Sequence, residues 1–559
     1  MTEPGSCSER TKKKKSPTLG EITIGIDIGT SPCSISIWNG FEIEVFKETL
    51  KEMIKSPREV FKDDAFSIGV SSEVTLSSEH EDTLFKLKRL FDIVDSDPAV
   101  YKSVDFPFLM HTLDIKVHPF IAAFVNKVWR STTAVELLEK FLVELRLMVG
   151  AQLKRPIRNV VFAVPVSFSR LQLYRIHCAC AKAGLKVIRT MPQPTAVALL
   201  YALDHSVSEI SKMALIFNMD SGYCDVAVTA IAAGKCRIKA LTGSSIGGED
   251  LLGNMICHLV PDSVNRIKKR IHEDTEIKSM ALLRCTIQEA ITRLSSQTSV
   301  EVDLDMGDDL KIHKVVTREQ FEEVNKEVFD KCERLIIQCL HDAKVEVDDI
   351  NDVIIVGGCY NIPKVKNLVT KICKRKELYT YINPFEGAIY GAAVAGAIAS
   401  GIRFMYGKLQ LFDFHATLVA IGIRANENNF VPVIPRNTSL PTTRHVACTT
   451  IHDNQNAALI VVYEGEGQKA EENHLLGYFK ITEIPEASKG VPEINVCMEI
   501  DRENRLTVTA SVWMPGALQS AIPVSVAGMT KFADEQHAWS AESLIRRYGD
   551  SMDLVTLVN

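Results

Sequence analysis

Between residues 22 and 400, short apolar runs alternate with segments whose apolar positions recur at helical spacing. ITIGIDI (22–28), VVFAVPV (160–166), ALIFNM (214–219) and VIIVGG (353–358) read as strands, and 133–149 and 168–183 as helices. This alternation predicts an α/β architecture with parallel or mixed sheets. From about residue 414 the period shortens. ALIVVYEGEG (458–467), GYFKITEIP (477–485), INVCMEID (494–501) and RLTVTASVW (505–513) are short segments of alternating character separated by turns, which predicts antiparallel β structure. GKLQLFDF (407–414) is a short apolar connector between the two unlike parts. Beyond Trp513 one short helix is predicted, with Ser540 as N-cap, AESLIRRY as its body and Gly549 as its stop.

The α/β part contains an internal repeat. GIDIGTSPCSISI (25–37) and IFNMDSGYCDVAV (216–228) are each a strand, an acid or amide, a turn of small residues and a second strand. Aligned without gaps, Asp27 falls on Asn218, Gly29 on Asp220, Thr30 on Ser221 and Ser31 on Gly222. A duplicated hairpin predicts two related lobes, each giving one phosphate loop to a shared cleft. IIVGGCYNIPKV (354–365) adds a strand, a Gly-Gly turn and a helix opening at Pro363, a geometry that aims backbone N–H groups at an anion. GSSIGGEDL (243–251) is a fourth glycine-rich turn. One Gly-Gly turn says little, but four in order with a repeat point to phosphate binding.

Composition narrows the class without changing it. The 559 residues are 46% hydrophobic and 24% charged, with mean hydropathy +0.05, which suits roughly two to four globular domains. A net charge of −6 gives no basic footprint for nucleic acid. The N-terminal stretch is polar with no apolar signal region, so the 14 cysteines are read as free thiols in a reducing compartment. Cys178 and Cys180 form a CxC without a second ligand pair nearby, a poor zinc site. No stretch approaches the ~18 consecutive apolar residues of a membrane span. These features predict a soluble cytoplasmic protein. The run Lys12–Lys15 reads as a solvated leader in preference to a nuclear-import signal.

GIDIGTS, LKRLFDIVDSDPAV, VVFAVPVSF, PTAVALLYALD, SIGGEDL, VGGCYNIPKV, INPFEGAIYGAAV, RNTSLPT, DNQNAALIVVYEGE, HLLGYFKITEIPEASKGVPEINVCMEID and LTVTA follow one another between about residues 20 and 513. In these motifs the sequence resembles the heat-shock 70 kDa (Hsp70) chaperone family. The resemblance implies a basic leader (1–20) and an actin-like two-lobed α/β ATPase domain (21–405) using ATP and Mg²⁺. It further implies an interdomain linker (406–414), an antiparallel β-sandwich holding extended apolar peptides (415–513), and a truncated tail (514–559) lacking most of the family's helical lid. Unfolded proteins and co-chaperones are the implied partners, with no nucleic acid and no membrane.

Carried over position by position, the resemblance makes Asp27 a carboxylate that meets Mg²⁺ through water, and Gly29, Thr30 and Ser31 the first phosphate turn. Lys88 matches the lysine that orients the nucleophile, and Asp225 the acid closing the second loop. Gly222, Tyr223, Gly247, Gly248, Glu249, Gln288, Ser295, Gly357 and Gly358 fall on nucleotide-binding positions. Ile423, Cys448, Ile451, Ala458 and Ile460 fall on the peptide channel.

Departures gather in the cleft. Asn218 and Gln193 stand where the family has carboxylates; amides keep the shape but neither attract hydrated Mg²⁺ nor accept a proton from water. The family's Gly-Gly-Gly-Thr turn is Asp220-Ser221-Gly222-Tyr223, whose side chains are expected to crowd a phosphate, with Asp220 repelling it. Gln288, Ile291, Thr292 and Asn361 replace charged residues on the nucleoside side, leaving Ser295. Arg505 stands at an apolar channel position, and Lys408 and Gln410 alter the linker, so linker coupling is expected to be weak. The sequence reads as a peptide-binding chaperone with slow or absent hydrolysis. The alternatives are a non-hydrolysing scaffold or regulator of other chaperones and, less consistent with the β-sandwich, a sugar-kinase-type enzyme.

Overall fold

The duplicated hairpin organises the two five-stranded sheets of the α/β part. The computed structural model describes residues 23–28, 33–38, 43–45, 109–111, 120–125, 128–132, 134–206, 208–261, 274–305, 311–375, 377–401, 409–412, 416–501, 504–514, 525–529 and 555–557. In the first sheet β1 (Thr23–Ile28), β2 (Cys33–Trp38) and β3 (Ile43–Val45) form an antiparallel meander. A small separate sheet holds β4 (Leu109–His111), β5 (Phe120–Val125) and β6 (Val128–Thr132). After α1 (Ala134–Leu153), β7 (Asn159–Val164) joins the first sheet parallel to β1. Helix α2 (Arg170–Lys182) then leads to β8 (Lys186–Pro192), parallel to β7, and α3 (Gln193–Asp204) follows at once.

The second sheet repeats the plan. β9 (Lys212–Met219), β10 (Cys224–Ala232) and β11 (Lys235–Ser244) are an antiparallel meander, with Asn218 opposite Asp225 as Asp27 is opposite Ser34 in the first hairpin. Helices α4 (Gly248–Leu259) and α5 (Asp274–Leu294), the hairpin β12 (Ser299–Asp305) and β13 (Lys311–Thr317), and helices α6 (Arg318–Val324) and α7 (Lys326–Ala343) contribute to the core on one side. Strand β14 (Asp352–Val356) then joins parallel to β9, as β7 joins β1. Helices α8 (Pro363–Ile372) and α9 (Gly387–Ala399) complete this part. The Ala- and Gly-rich α9 packs against both β1 and α3, and so ties the two halves together.

The connector is not loose. β15 (Gln410–Phe412) adds to the edge of the second sheet, parallel to β11 with Cys236 opposite Leu411, and Leu409 is buried beside it. The linker strand is docked despite its altered residues, of which Lys408 lies outside the described residues. Gln410 is exposed, so the polar replacement costs no burial while the backbone makes the pairing.

Beyond the connector, two antiparallel sheets enclose one apolar core. One contains β16 (Ala420–Arg424), β17 (Phe430–Ile434), β19 (Ala457–Gly465) and β20 (His474–Thr482); the other contains β18 (Thr442–Thr450), β21 (Glu493–Ile500) and β22 (Leu506–Trp513). In β22 the period of two is complete: Leu506, Val508, Ala510 and Val512 are buried and the residues between them are not. This sheet also takes in β23 (Ser525–Met529) against β22 and β24 (Val555–Leu557) against β18. The sandwich thus reaches beyond the boundary drawn at Trp513, because β22 and β18 would otherwise leave ladder groups unpaired at both edges. The helix expected at 541–548 lies outside the described residues.

Two arginines join the sandwich to the α/β part. Arg170 opens α2 behind a capping box of Ser169 and Gln172. Its amide donates to Glu464 Oε1 (2.5 Å), its Nε lies 3.4 Å from Glu464 Oε2, and its Nη2 donates to Asn504 Oδ1 (2.7 Å). Burial lowers the pKa of its guanidinium, opposed by the charges of Glu464 and Asp501. Arg436 Nη2 donates to Asp342 Oδ2 at the end of α7 (2.9 Å).

Candidate functional site

The two hairpins and α3 meet at three residues. Asp27 lies near the end of β1, Asn218 near the end of β9, and Gln193 at the start of α3. Gln193 and Asn218 are fully buried. Gln193 Nε2 donates to Asp27 Oδ1 (2.8 Å) and Oδ2 (3.1 Å) and reaches Asp220 Oδ2 (3.4 Å), while its Oε1 accepts from Asn218 Nδ2 (3.1 Å). The donors run in one direction, from Asn218 through Gln193 to two carboxylates. Four carboxyl groups in these places would have no donor among themselves and would need a cation; the two amides satisfy the same contacts internally.

The glycine-rich turns close around Asp220. Its amide donates to Tyr223 O (2.9 Å), and its carbonyl accepts from Gly248 N (3.0 Å), while Glu249 N donates to Ser221 O (2.7 Å). The first N–H groups of α4 are thereby engaged by the turn's own backbone. A Cβ on Gly247 would stand 2.3 Å from Asp220 O, so this approach requires glycine. Gly357 has φ +99° and donates to Pro384 O (2.8 Å). Beside it, Gly358 N donates to Asp220 Oδ1 (3.0 Å). The Cys359 thiol, whose pKa is raised mainly by burial, points at Asp220 O (3.7 Å). The third loop therefore does present a backbone N–H to an anion, and that anion is a side chain of this protein.

The structure brings Asp27, Gln193, Asn218, Gly247, Gly248, Gly357 and Gly358 to this centre. Gly29, Thr30, Ser31 and Lys88 lie outside the described residues. Asp225 is buried and accepts from Val166 N (3.2 Å). Gly222 is buried in the turn. Tyr223 is a correction: it does not crowd the loop but packs into the first lobe's core, edge-on to Phe168 with ring centroids 5.4 Å apart. The large apolar face of an aromatic ring gains more from that core than from a polar turn. Glu249 forms a buried ion pair with Arg284. On α5 Gln288 is exposed, Ile291 turns into the core, and Thr292 Oγ1 donates back to Gln288 O (2.9 Å). Ser295 is half-buried just past that helix, its carbonyl accepting from Arg318 Nη2 (3.4 Å).

In the sandwich Ile423, Cys448, Ala458 and Ile460 are fully buried in one cluster, and Ile451 is half-buried at the end of β18. Burial pushes the Cys448 thiol up to about 12, so it remains a neutral, apolar wall. Arg505 is a second correction. It is exposed and bonds Asp501 through Nε (2.7 Å) and its own amide (2.8 Å), because neighbouring Leu506 takes the inward position. Sequence reasoning missed two features: the partner of Asp220, and Val555, buried in the same cluster as the channel residues.

The Hsp70 protein family profile matches residues 23–542. The chain is 50% identical to heat shock 70 kDa protein 8 of Arabidopsis thaliana, over 99% of this chain and 98% of that protein. It is 30% identical to heat shock 70 kDa protein of Neurospora crassa, over 87% of this chain and 75% of that one, and 31% identical to heat shock 70 kDa protein 2 of Paracoccidioides lutzii, over 87% and 74%. The chain belongs to the Hsp70 family. It is an Hsp70-type chaperone by that membership. Hsp70 proteins use ATP with Mg²⁺. Asp220 occupies the Gly358 N–H, and Asn218 and Gln193 bring no charge. Among the described residues no three His, Cys, Asp or Glu side chains group to hold a metal ion.

Proposed function

We propose that this Hsp70 protein holds extended apolar segments of unfolded proteins in its β-sandwich, while an actin-like, two-lobed ATPase domain binds ATP and Mg²⁺ weakly and hydrolyses ATP slowly. Co-chaperones of the family remain its expected partners. Cytoplasmic residence is part of this reading and rests on the sequence alone.

One observation carries the slow step. Gln193, joined to Asn218 and Asp27, has no lone carboxylate with which to take a proton or hold hydrated metal. The loss of a positioned acid–base group typically costs about 10²–10⁴ in rate. Two losses in one hydrogen-bonded unit act together and do not multiply. Asp220 adds repulsion where a phosphate oxygen would approach the third loop.

Single-turnover hydrolysis in the wild-type chain and in Gln193→Glu/Asn218→Asp/Asp220→Gly tests this. The triple variant is expected to hydrolyse ATP at least about a hundredfold faster, and calorimetric titration should show tighter Mg-ATP binding. Wild-type hydrolysis equal to the variant's, with both chains folded, overturns the reading that these three residues slow the reaction.

A further inference from the structure

Strand β24 lies at the edge of the sandwich where the apolar channel residues come together. It runs antiparallel to β18, with Val555 opposite Thr450, Thr556 opposite Thr449 and Leu557 opposite Cys448. Val555 is fully buried in the cluster that holds Ile423, Cys448, Ala458 and Ile460. Without β24, the ladder groups of β18 from Cys448 to Thr450 would form an open edge beside this apolar cluster. An open edge with apolar side-chain positions is what an extended peptide adds to, taking affinity from backbone pairing and selectivity from alternate side chains.

The chemistry of the segment matches that role. Leu554-Val555-Thr556-Leu557-Val558 is uncharged, β-prone and apolar apart from one hydroxyl. Among the described residues three pairs join β24 to β18, against eight between β18 and β21 on the other side. An edge strand joined by fewer ladder pairs than its neighbour opens more readily.

We propose that Val555–Leu557 is an intrachain ligand: it occupies the peptide-binding edge of the sandwich and must leave before a client segment is held. This rests on the reading that the sandwich holds peptides. Clients of this chain would then be extended, uncharged, aliphatic segments similar to the one they displace. The site's apparent affinity for them would be lowered by the fraction of time the segment occupies it.

The test is fluorescence anisotropy with a labelled Leu- and Val-rich heptapeptide and three proteins: the full chain, a chain ending at Gly549, and full-length Val555→Asp. Both altered chains are expected to bind the probe about tenfold more tightly, as for a segment that holds the site about nine-tenths of the time. A free peptide of residues 553–559 should displace the probe from the shortened chain. Val555→Asp keeps the chain length, so a folding defect confined to the shortened protein does not decide the result. Equal probe affinity in all three, with no competition by the free peptide, overturns self-occupancy and leaves peptide holding intact. No probe binding to any of them, with melting temperatures preserved, overturns peptide holding and self-occupancy together.

Discussion

Gln193 makes the cleft self-sufficient because a carboxamide carries a donor and an acceptor at once. Its Nε2 donates to Asp27 and its Oε1 accepts from Asn218 Nδ2, so a carboxylate here could serve the Asn218 side but not the Asp27 side. Gln193→Glu replaces the donor with a third acidic group beside Asp27 and Asp220, leaving buried acceptors opposed. The expected cost is about 1–3 kcal/mol, read as a lower melting temperature in metal-free buffer, with part of the loss recovered on adding Mg²⁺. The sign follows from charge: a cation relieves repulsion among carboxylates, and the wild-type amide leaves less to relieve. An unchanged melting temperature, with and without Mg²⁺, would show that the amide N–H is not holding this centre. At this scale the sequence shows the substitution and hides its partner. The charge of Asp220 is visible in the turn, but Gly358, which donates to it, lies 138 residues away. Tyr223 shows the same limit, since its neighbour Phe168 comes from the segment between β7 and α2.

Elements were more legible than contacts, because periodicity is local. The two hairpins, the change to antiparallel strands after the connector and the alternating burial of β22 all follow from the spacing of apolar residues. The connector was harder. From the sequence, Gln at position 410 gives no sign of which way it faces, but a paired strand gives each residue a side, and Gln410 has the solvent side. Leu409 has the buried one. Leu409→Asp is therefore expected to free β15 from β11, raising hydrogen exchange of the paired backbone and protease cleavage near residue 410, whereas Gln410→Ala should leave both unchanged. If Gln410→Ala loosens the connector as much as Leu409→Asp does, burial of Leu409 is not what docks it. The tail eluded sequence reading for a related reason: three- and five-residue strands are too short to show a period, and only the unpaired edges of β18 and β22 reveal their places.

Across the whole molecule, the docked connector and the two arginines bear on one property, the seating of the sandwich against the α/β part. Arg170 matters more than Arg436 because of where its partner lies. The Glu464 side chain is 3% exposed and that of Arg170 11%, so this pair is the more shielded one, whereas Arg436 is 22% exposed beside a buried Asp342 at 5%. Breaking a buried pair by removing one partner costs on the order of 3 kcal/mol, and less as either partner gains access to water. Glu464 would still accept the amide of residue 170 in an Arg170→Ala protein, but it would lose the neighbouring cation. Asn504 would lose the guanidinium that bonds its side-chain oxygen. Arg170→Ala is thus expected to separate the sandwich from the α/β part, lengthening a distance measured between fluorophores placed on each, while Arg436→Ala lengthens it less. Added salt should widen the distance in the wild type only slightly, since the stronger pair is buried. If Arg170→Ala leaves the distance unchanged while Arg436→Ala increases it, then burial does not rank these contacts, and the less buried pair at the end of α7 governs the seating.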